Sequence, residues 1–126
     1  MLKFIKKNSQ AQILILDKLD KNFNLKRIFF LLANKKVIRG NHAHKKCTQV
    51  FFSVKGSFLI ECISPVGKIK KIIVKPEQKI IVIKPLTWVK VHLRKNDICG
   101  VICDRYYEKK DYIHDIKKFN EIKNKI

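Results

Sequence analysis

Short apolar runs, set apart by turn residues at nearly even spacing, constrain this chain more than anything else in it. Ile13–Leu16, Lys26–Ala33, Val50–Val54, Phe58–Ile63, Ile69–Val74, Ile80–Ile83, Val89–Leu93 and Ile98–Cys103 are rich in Ile, Val and Phe, which suit a pleated surface. Turn residues separate them at Lys55-Gly56, Ser64-Pro65-Val66-Gly67, Lys75-Pro76-Glu77 and Lys95-Asn96-Asp97. Many short strands at this spacing predict a sandwich or barrel. The period changes only at the tail. There Tyr112, Ile113, Ile116, Phe119 and Ile122 suit one amphipathic helix from about Lys110 to Asn124, with Asp111 near its start. A length of 126 residues with 46% hydrophobic content reads as a single domain, 1–126, around one core. A barrel of this size has room for one small ligand.

The chemistry concentrates in Arg39-Gly40-Asn41-His42-Ala43-His44. Histidines one residue apart on a strand project from the same face. A single buried histidine is ordinarily a satisfied core residue, whereas a same-face pair beside an arginine favours a site. With Gln49 and Gly56 the spacing becomes G-x-H-x-H, four residues, Gln, six residues, Gly. It is similar to the first signature of the cupin β-barrel, in which an acidic residue usually stands at the place of Gln49.

The resemblance narrows when the motifs are taken in order. Leu25-Lys26-Arg27-Ile28-Phe29-Phe30, the segment Arg39 to Lys46, Gln49, Gly56-Ser57, Pro85-x-x-Trp88 and Tyr106-Tyr107-Glu108-x-x-Asp111-Tyr112-Ile113 follow one another from Leu25 to about Phe119. This set resembles the sugar 3,4-ketoisomerases that act on thymidine-diphospho-4-keto-6-deoxyglucose. The resemblance implies an all-β, cupin-type (jelly-roll) barrel with a C-terminal α-helix. It implies an isomerase that moves a ketone from C4 to C3 through an enediol with no cofactor. It also implies a homodimer, to which an early strand at Met1–Lys7 would suit exchange between subunits. The product would feed a pyridoxal-phosphate-dependent aminotransferase making a 3-amino-3,6-dideoxyhexose for surface glycans. Two departures stand out. Relatives tend to carry tyrosine at the Phe29-Phe30 pair, and histidine where Val89 stands.

Acid–base work suits the pair, since an imidazole near neutrality can take and return a proton. Ketone migration requires removal of the C3 proton and protonation of C4. His44 is the candidate for the carbon protons and His42 for the oxygens, with exchanged roles left open. Gln49 is expected to orient one imidazole by a hydrogen bond. Arg39 is placed to meet a phosphate or the enediolate oxygen, with Lys45 and Arg27 as further pyrophosphate candidates. Trp88, Tyr106 and Tyr107 are candidates to line the sugar or thymine pocket, although aromatic residues in so small a barrel are more often core. His92 is a reserve proton donor. Two imidazoles and the Gln49 amide make a poor metal site, and the ammonium of Lys90 would oppose a cation, so no metal is expected.

Composition weighs against several other classes. The formal net charge is +19, but only four of the 29 basic residues are arginine, the side chain that forks onto guanine edges and phosphates. The lysines are spread along the chain, so nucleic acid is not the expected partner, whereas an anionic nucleotide sugar is. No apolar run approaches the roughly 20 residues of a membrane helix, and Met1–Lys7 has no following apolar stretch of signal length. A cytoplasmic protein with no membrane partner is expected. The four cysteines (Cys47, Cys62, Cys99, Cys103) form no C-x-x-C pair and read as small buried residues. Two rivals remain. One is a 3,5-epimerase of the same sugar, a family that usually pairs histidine with aspartate; no Asp occurs between Asp20 and Asp97. The other is a non-catalytic sugar- or nucleic-acid-binding cupin.

Overall fold

The computed structural model describes residues 2–7, 10–17, 19–77 and 80–124. A hairpin of β1 (Leu2–Lys7) and β2 (Gln12–Leu16) leads into two larger antiparallel sheets. One has four strands in the order β3 (Arg27–Leu32), β10 (Ile98–Cys103), β5 (Gln49–Lys55) and β8 (Ile81–Ile83). The other has five: β11 (Tyr112–Ile113), β4 (Val37–His44), β9 (Trp88–Leu93), β6 (Phe58–Ile63) and β7 (Ile69–Val74). Helix α1 (Ile116–Asn124) follows, and no helix among the described residues is long and apolar enough to cross a membrane. The all-β, cupin-type barrel with a C-terminal helix is therefore what the chain forms. All eight apolar runs named above became strands.

Period-2 alternation builds the barrel interior. Phe51, Phe58, Ile60, Val91, Leu93 and Val101 point between the two large sheets and are 0–3% exposed. A second cluster lies outside the four-stranded sheet, where Val50, Phe52 and Ile102 pack on Leu14, Leu16, Leu19 and Phe23. A third lies outside the five-stranded sheet, where Phe119 of α1 covers Ala43, Trp88 and Ile113. The helix is thus a lid on the back of β4.

That helix is shorter than its periodicity predicts. Lys109–Asp111 form a single 3-10 turn, and Tyr112–Ile113 are extended, pairing with His44 and Ala43. Asp111 is held by β4-side groups, and the β11 ladder satisfies backbone that a helix would otherwise have used. Helical winding starts only at Ile116.

A bulge shapes β4. Its register against β9 shifts between Gly40 and His42, and both Gly40 (φ 79°) and Asn41 (φ 58°) are left-handed. A Cβ on Gly40 would also lie 3.0 Å from the carbonyl oxygen of Val89, so glycine is required there on two counts. Gly56, in the β5–β6 turn (φ 87°), is similarly fixed, since a Cβ would collide with the Asp97 carboxylate.

Candidate active site

The mouth of the barrel holds a cavity of roughly 380 Å³. Four strands bring the site together there: β3 supplies Phe29, β4 supplies Arg39 and His42, β5 supplies Gln49 and Phe51, and β9 supplies Val91. Tyr112 and His114, from β11 and the residues after it, complete the wall. The bulge at Gly40-Asn41 restarts the alternation so that His42 and His44 both turn inward while Ala43 faces the helix. The two imidazoles meet edge to face, ring centres 5.0 Å apart, and Tyr112 lies 5.0 Å from His42 and 4.3 Å from His44.

The protein fixes the tautomer of both rings. His42 Nδ1 is 3.0 Å from the carbonyl oxygen of Gly40, and His44 Nδ1 is 2.9 Å from Asp111 Oδ2. Each partner can only accept, so each Nδ1 carries the proton and each Nε2 keeps a bare lone pair. The Nε2 of His44 is buried without a hydrogen-bond partner. A buried polar atom left unsatisfied is costly in a purely structural role, which marks this one for a ligand or for chemistry. Burial lowers the affinity of His42 for a proton, and His44, His114 and Arg39 lower it further, to a pKa of about 4. Burial also pulls His44 below its usual value, against the opposing pull of Asp111. Both rings are neutral bases near pH 7.

Asp111 organises this corner. Its Oδ1 accepts the Lys46 amide at 2.7 Å, and its Oδ2 accepts both the Cys47 amide at 3.3 Å and His44. Burial raises its pKa, but the bond from His44 and the two amides outweigh that and hold the carboxylate ionised below its usual range. Gln49 does not orient either histidine, as its amide donates to Cys103 Sγ at 3.4 Å and its oxygen is buried without a partner. The orienting groups are Gly40 and Asp111 instead. Periodicity hid Asp111, Tyr112 and His114 because their segment suited a helix. Read as a strand, Tyr112 and His114 alternate with Ile113, and that alternation was the available signal.

Arg39 and Gln49 stand on the cavity wall beside His42. Arg27 is adjacent: its guanidinium donates to the Tyr112 hydroxyl at 3.2 Å and to Cys103 Sγ at 3.6 Å. The other expected binding residues are not brought there. Trp88 is 2% exposed on the back of the sheet, against Phe119, and its indole donates to Asn41 Oδ1. His92 points from the outer face of β9 and meets Glu61 at 2.6 Å. Tyr106 is 71% exposed beneath the Lys26 ammonium, and Lys45 is exposed beyond the end of β4. Tyr107 lies at the edge, 5.5 Å from the Tyr112 ring. In each case strand parity or chain position turned the side chain away from the cavity.

His44, Cys47 and Asp111 bring donor atoms within 4.8 Å of one another. They fit a metal ion poorly. Both Asp111 oxygens are occupied by N–H donors, and Cys47 keeps its proton, held up by its hydrogen bond to Cys103 and by burial. This is a proton-bearing network, whereas a cation needs free anionic lone pairs.

Fold and site together define a cupin-type barrel enzyme with a paired-imidazole centre. The family described as FdtA, WxcM-like, C-terminal, matches residues 1–124. The chain belongs to that family of sugar 3,4-ketoisomerases and is an enzyme of the isomerase class. Among curated proteins, it is 28% identical over 106 residues to the TDP-4-oxo-6-deoxy-alpha-D-glucose-3,4-oxoisomerase of Aneurinibacillus thermoaerophilus, covering 82% of this chain and 76% of the relative. Among solved structures, WlaRA, a TDP-fucose-3,4-ketoisomerase from Campylobacter jejuni, matches with TM-score 0.79 and 29% identity over 100% of this chain and 96% of that one. QdtA, a sugar 3,4-ketoisomerase from Thermoanaerobacterium thermosaccharolyticum solved in complex with TDP, matches with TM-score 0.82 and 26% identity over 99% and 93%.

Proposed function

We propose that this enzyme moves the keto group of dTDP-4-keto-6-deoxyglucose from C4 to C3 through an enediol. The observation that carries the reading is the pair of neutral imidazoles with protonated Nδ1 atoms, His42 on the wall of a cavity guarded by Arg39 and His44 buried directly behind it against the His42 and Tyr112 rings, its Nε2 without a partner. His44, backed by the Asp111 charge that would stabilise its imidazolium, is the base for the carbon protons. His42 accepts from a sugar hydroxyl and holds it in place. Arg39 binds the diphosphate or the developing oxyanion, and the +19 charge of the chain favours arrival of that anion. Gln49, whose side-chain oxygen lacks a partner, offers a second hydroxyl acceptor. The 3-keto product suits a pyridoxal-phosphate-dependent aminotransferase, giving a 3-amino-3,6-dideoxyhexose for surface glycans. Four free, buried thiols fit the reducing cytoplasm.

The test is a coupled reaction. Protein freed of metals by exhaustive chelation is mixed with the 4-keto sugar, a 3-aminotransferase and an amino donor. A 3-amino sugar is expected. Inversion at C5 with the ketone still at C4 would establish the 3,5-epimerase instead. The lack of a mid-chain aspartate does not argue against that rival, because Asp111 supplies a histidine–aspartate pair from the far end of the chain. Activity that returned only with an added divalent ion would overturn the metal-free mechanism.

The same reading includes a homodimer. Ile28, Phe30 and Leu32 alternate along β3 and are 49%, 52% and 65% exposed on an edge strand. They continue the apolar cluster of Ile102 and Phe52, whose ring meets that of Phe30. An apolar edge strand left open invites pairing, and a second copy related by a twofold axis presents the same strand antiparallel. Sedimentation at micromolar concentration should give twice the monomer mass, and Phe30→Asp should shift it toward monomer. A monomeric wild type would refute the dimer.

A further inference from the structure

Ketone migration needs more than a carbon base. As the C3 proton leaves, the C4 oxygen must gain a proton, and the C3 hydroxyl must later lose one. Neither imidazole of the central pair can give that proton in its resting state. His42 has its N–H on the Gly40 carbonyl and His44 has its N–H on Asp111, so each ring keeps only a lone pair at Nε2, His42 on the cavity wall and His44 just behind it. Arg39 does not give up its proton, the Gln49 amide is not an acid, and Phe29, Phe51 and Val91 have none to offer.

Tyr112 has one. It lines the cavity and packs on both histidine rings. Its oxygen accepts from the Arg27 guanidinium at 3.2 Å, which leaves the phenolic proton free to point elsewhere. The guanidinium is also placed to carry the negative charge that appears on that oxygen whenever the proton is given up. His114, the remaining titratable group on the wall, is exposed, stacks on Tyr112 and sits farther from His42, at 5.7 Å between ring centres. Among the described residues it has no charge partner comparable to Arg27.

We infer that Tyr112, charge-supported by Arg27, is a catalytic residue that shuttles the hydroxyl proton between the C4 and C3 oxygens. The inference rests on the ketoisomerase reading. In the first step His44 Nε2 takes the C3 proton, the C3–H electrons form the C3–C4 double bond, and the C4 carbonyl π electrons form a new O–H bond with the phenolic proton. The result is an enediol, an imidazolium and a phenolate. In the second step the phenolate takes the C3 hydroxyl proton, the C3 carbonyl forms, and the double-bond electrons take the proton from the imidazolium at C4. Both side chains return to their starting state, and no oxidant or reductant is consumed.

The experiment compares product formation with uptake of solvent deuterium at C3 of recovered substrate. Tyr112→Phe keeps the ring and removes only the acid. Product formation should fall by roughly 10²–10⁴-fold, because both hydroxyl proton transfers lose their carrier, while C3 deuterium uptake, which needs only the first of them, should fall less, so the ratio of uptake to turnover rises. Arg27→Gln should move the ratio in the same direction by less, with the circular dichroism of both variants unchanged. Near wild-type turnover in Tyr112→Phe would overturn the inference, and so would a parallel loss of exchange and product. So would a His114→Asn variant that alone showed the raised ratio. A wild-type protein that made no 3-keto product would instead sink the ketoisomerase reading itself, before any variant was compared.

Discussion

Replacing His44 by Asn is expected to lower ketoisomerase turnover by about 10²–10⁴-fold, the usual worth of a positioned general base. Asparagine keeps part of the volume and can still donate to Asp111, so the thermal midpoint should move little. His42→Asn should lower kcat/KM by a smaller factor if its part is to hold a hydroxyl. Near-full activity in both variants would remove the paired-imidazole mechanism. The wild-type pH profile belongs to the same prediction. Burial holds both rings below the ordinary histidine value of 6.5, His42 near 4. Activity should therefore persist as pH falls through 6.5, with its acid limb lower than a free imidazole would give. Stability runs the other way. Between pH 6.5 and about 4 the unfolded chain binds protons that the folded rings refuse. Folding stability is thus full above 6.5 and declines on acidification through that window, and His42→Asn should flatten the decline. A urea midpoint independent of pH across this range would contradict it.

Asp111 should be the most damaging single position in the site. In Asp111→Ala the Lys46 and Cys47 amides and the His44 Nδ1–H lose their acceptor together. A buried donor left without an acceptor costs about 1–3 kcal/mol, and three such donors are a large part of the roughly 5–15 kcal/mol that holds a domain folded. A drop of many degrees in melting temperature is expected. Asp111→Asn separates folding from chemistry. The amide oxygen can still accept from Lys46, but the amide nitrogen now faces His44 Nδ1 as a donor. His44 then accepts there and moves its proton to Nε2, which ceases to be a base. This variant should fold with a modest loss of stability and lose activity to an extent comparable with His44→Asn. An active Asp111→Asn enzyme would show that the carboxylate serves structure alone.

Strand positions were legible from residue order alone. Runs rich in Ile, Val and Phe between turn residues suit a pleated surface, so Phe58–Ile63, Ile69–Val74 and Ile98–Cys103 could be read to the residue. Alternation along a strand put His42 and His44 on one face without coordinates, and the ordered motifs around them pointed to the family that residues 1–124 match. Tertiary structure decided what lies beside that pair. Asp111 stands 67 positions from His44, and Arg27 stands 85 from Tyr112. Contacts across such separations are set by sheet order and strand pairing, on which no local pattern bears. Trp88 and His92 show the same limit from the other side, since their strand was recognisable but the face each presents to the cavity depends on which sheet it joins and in what register. The tail marks where local and global demands competed. Apolar spacing favoured a helix from Lys110, but β11 pairing and the donors waiting for Asp111 stabilised an extended segment, and that extension places Tyr112 and His114 on the cavity wall.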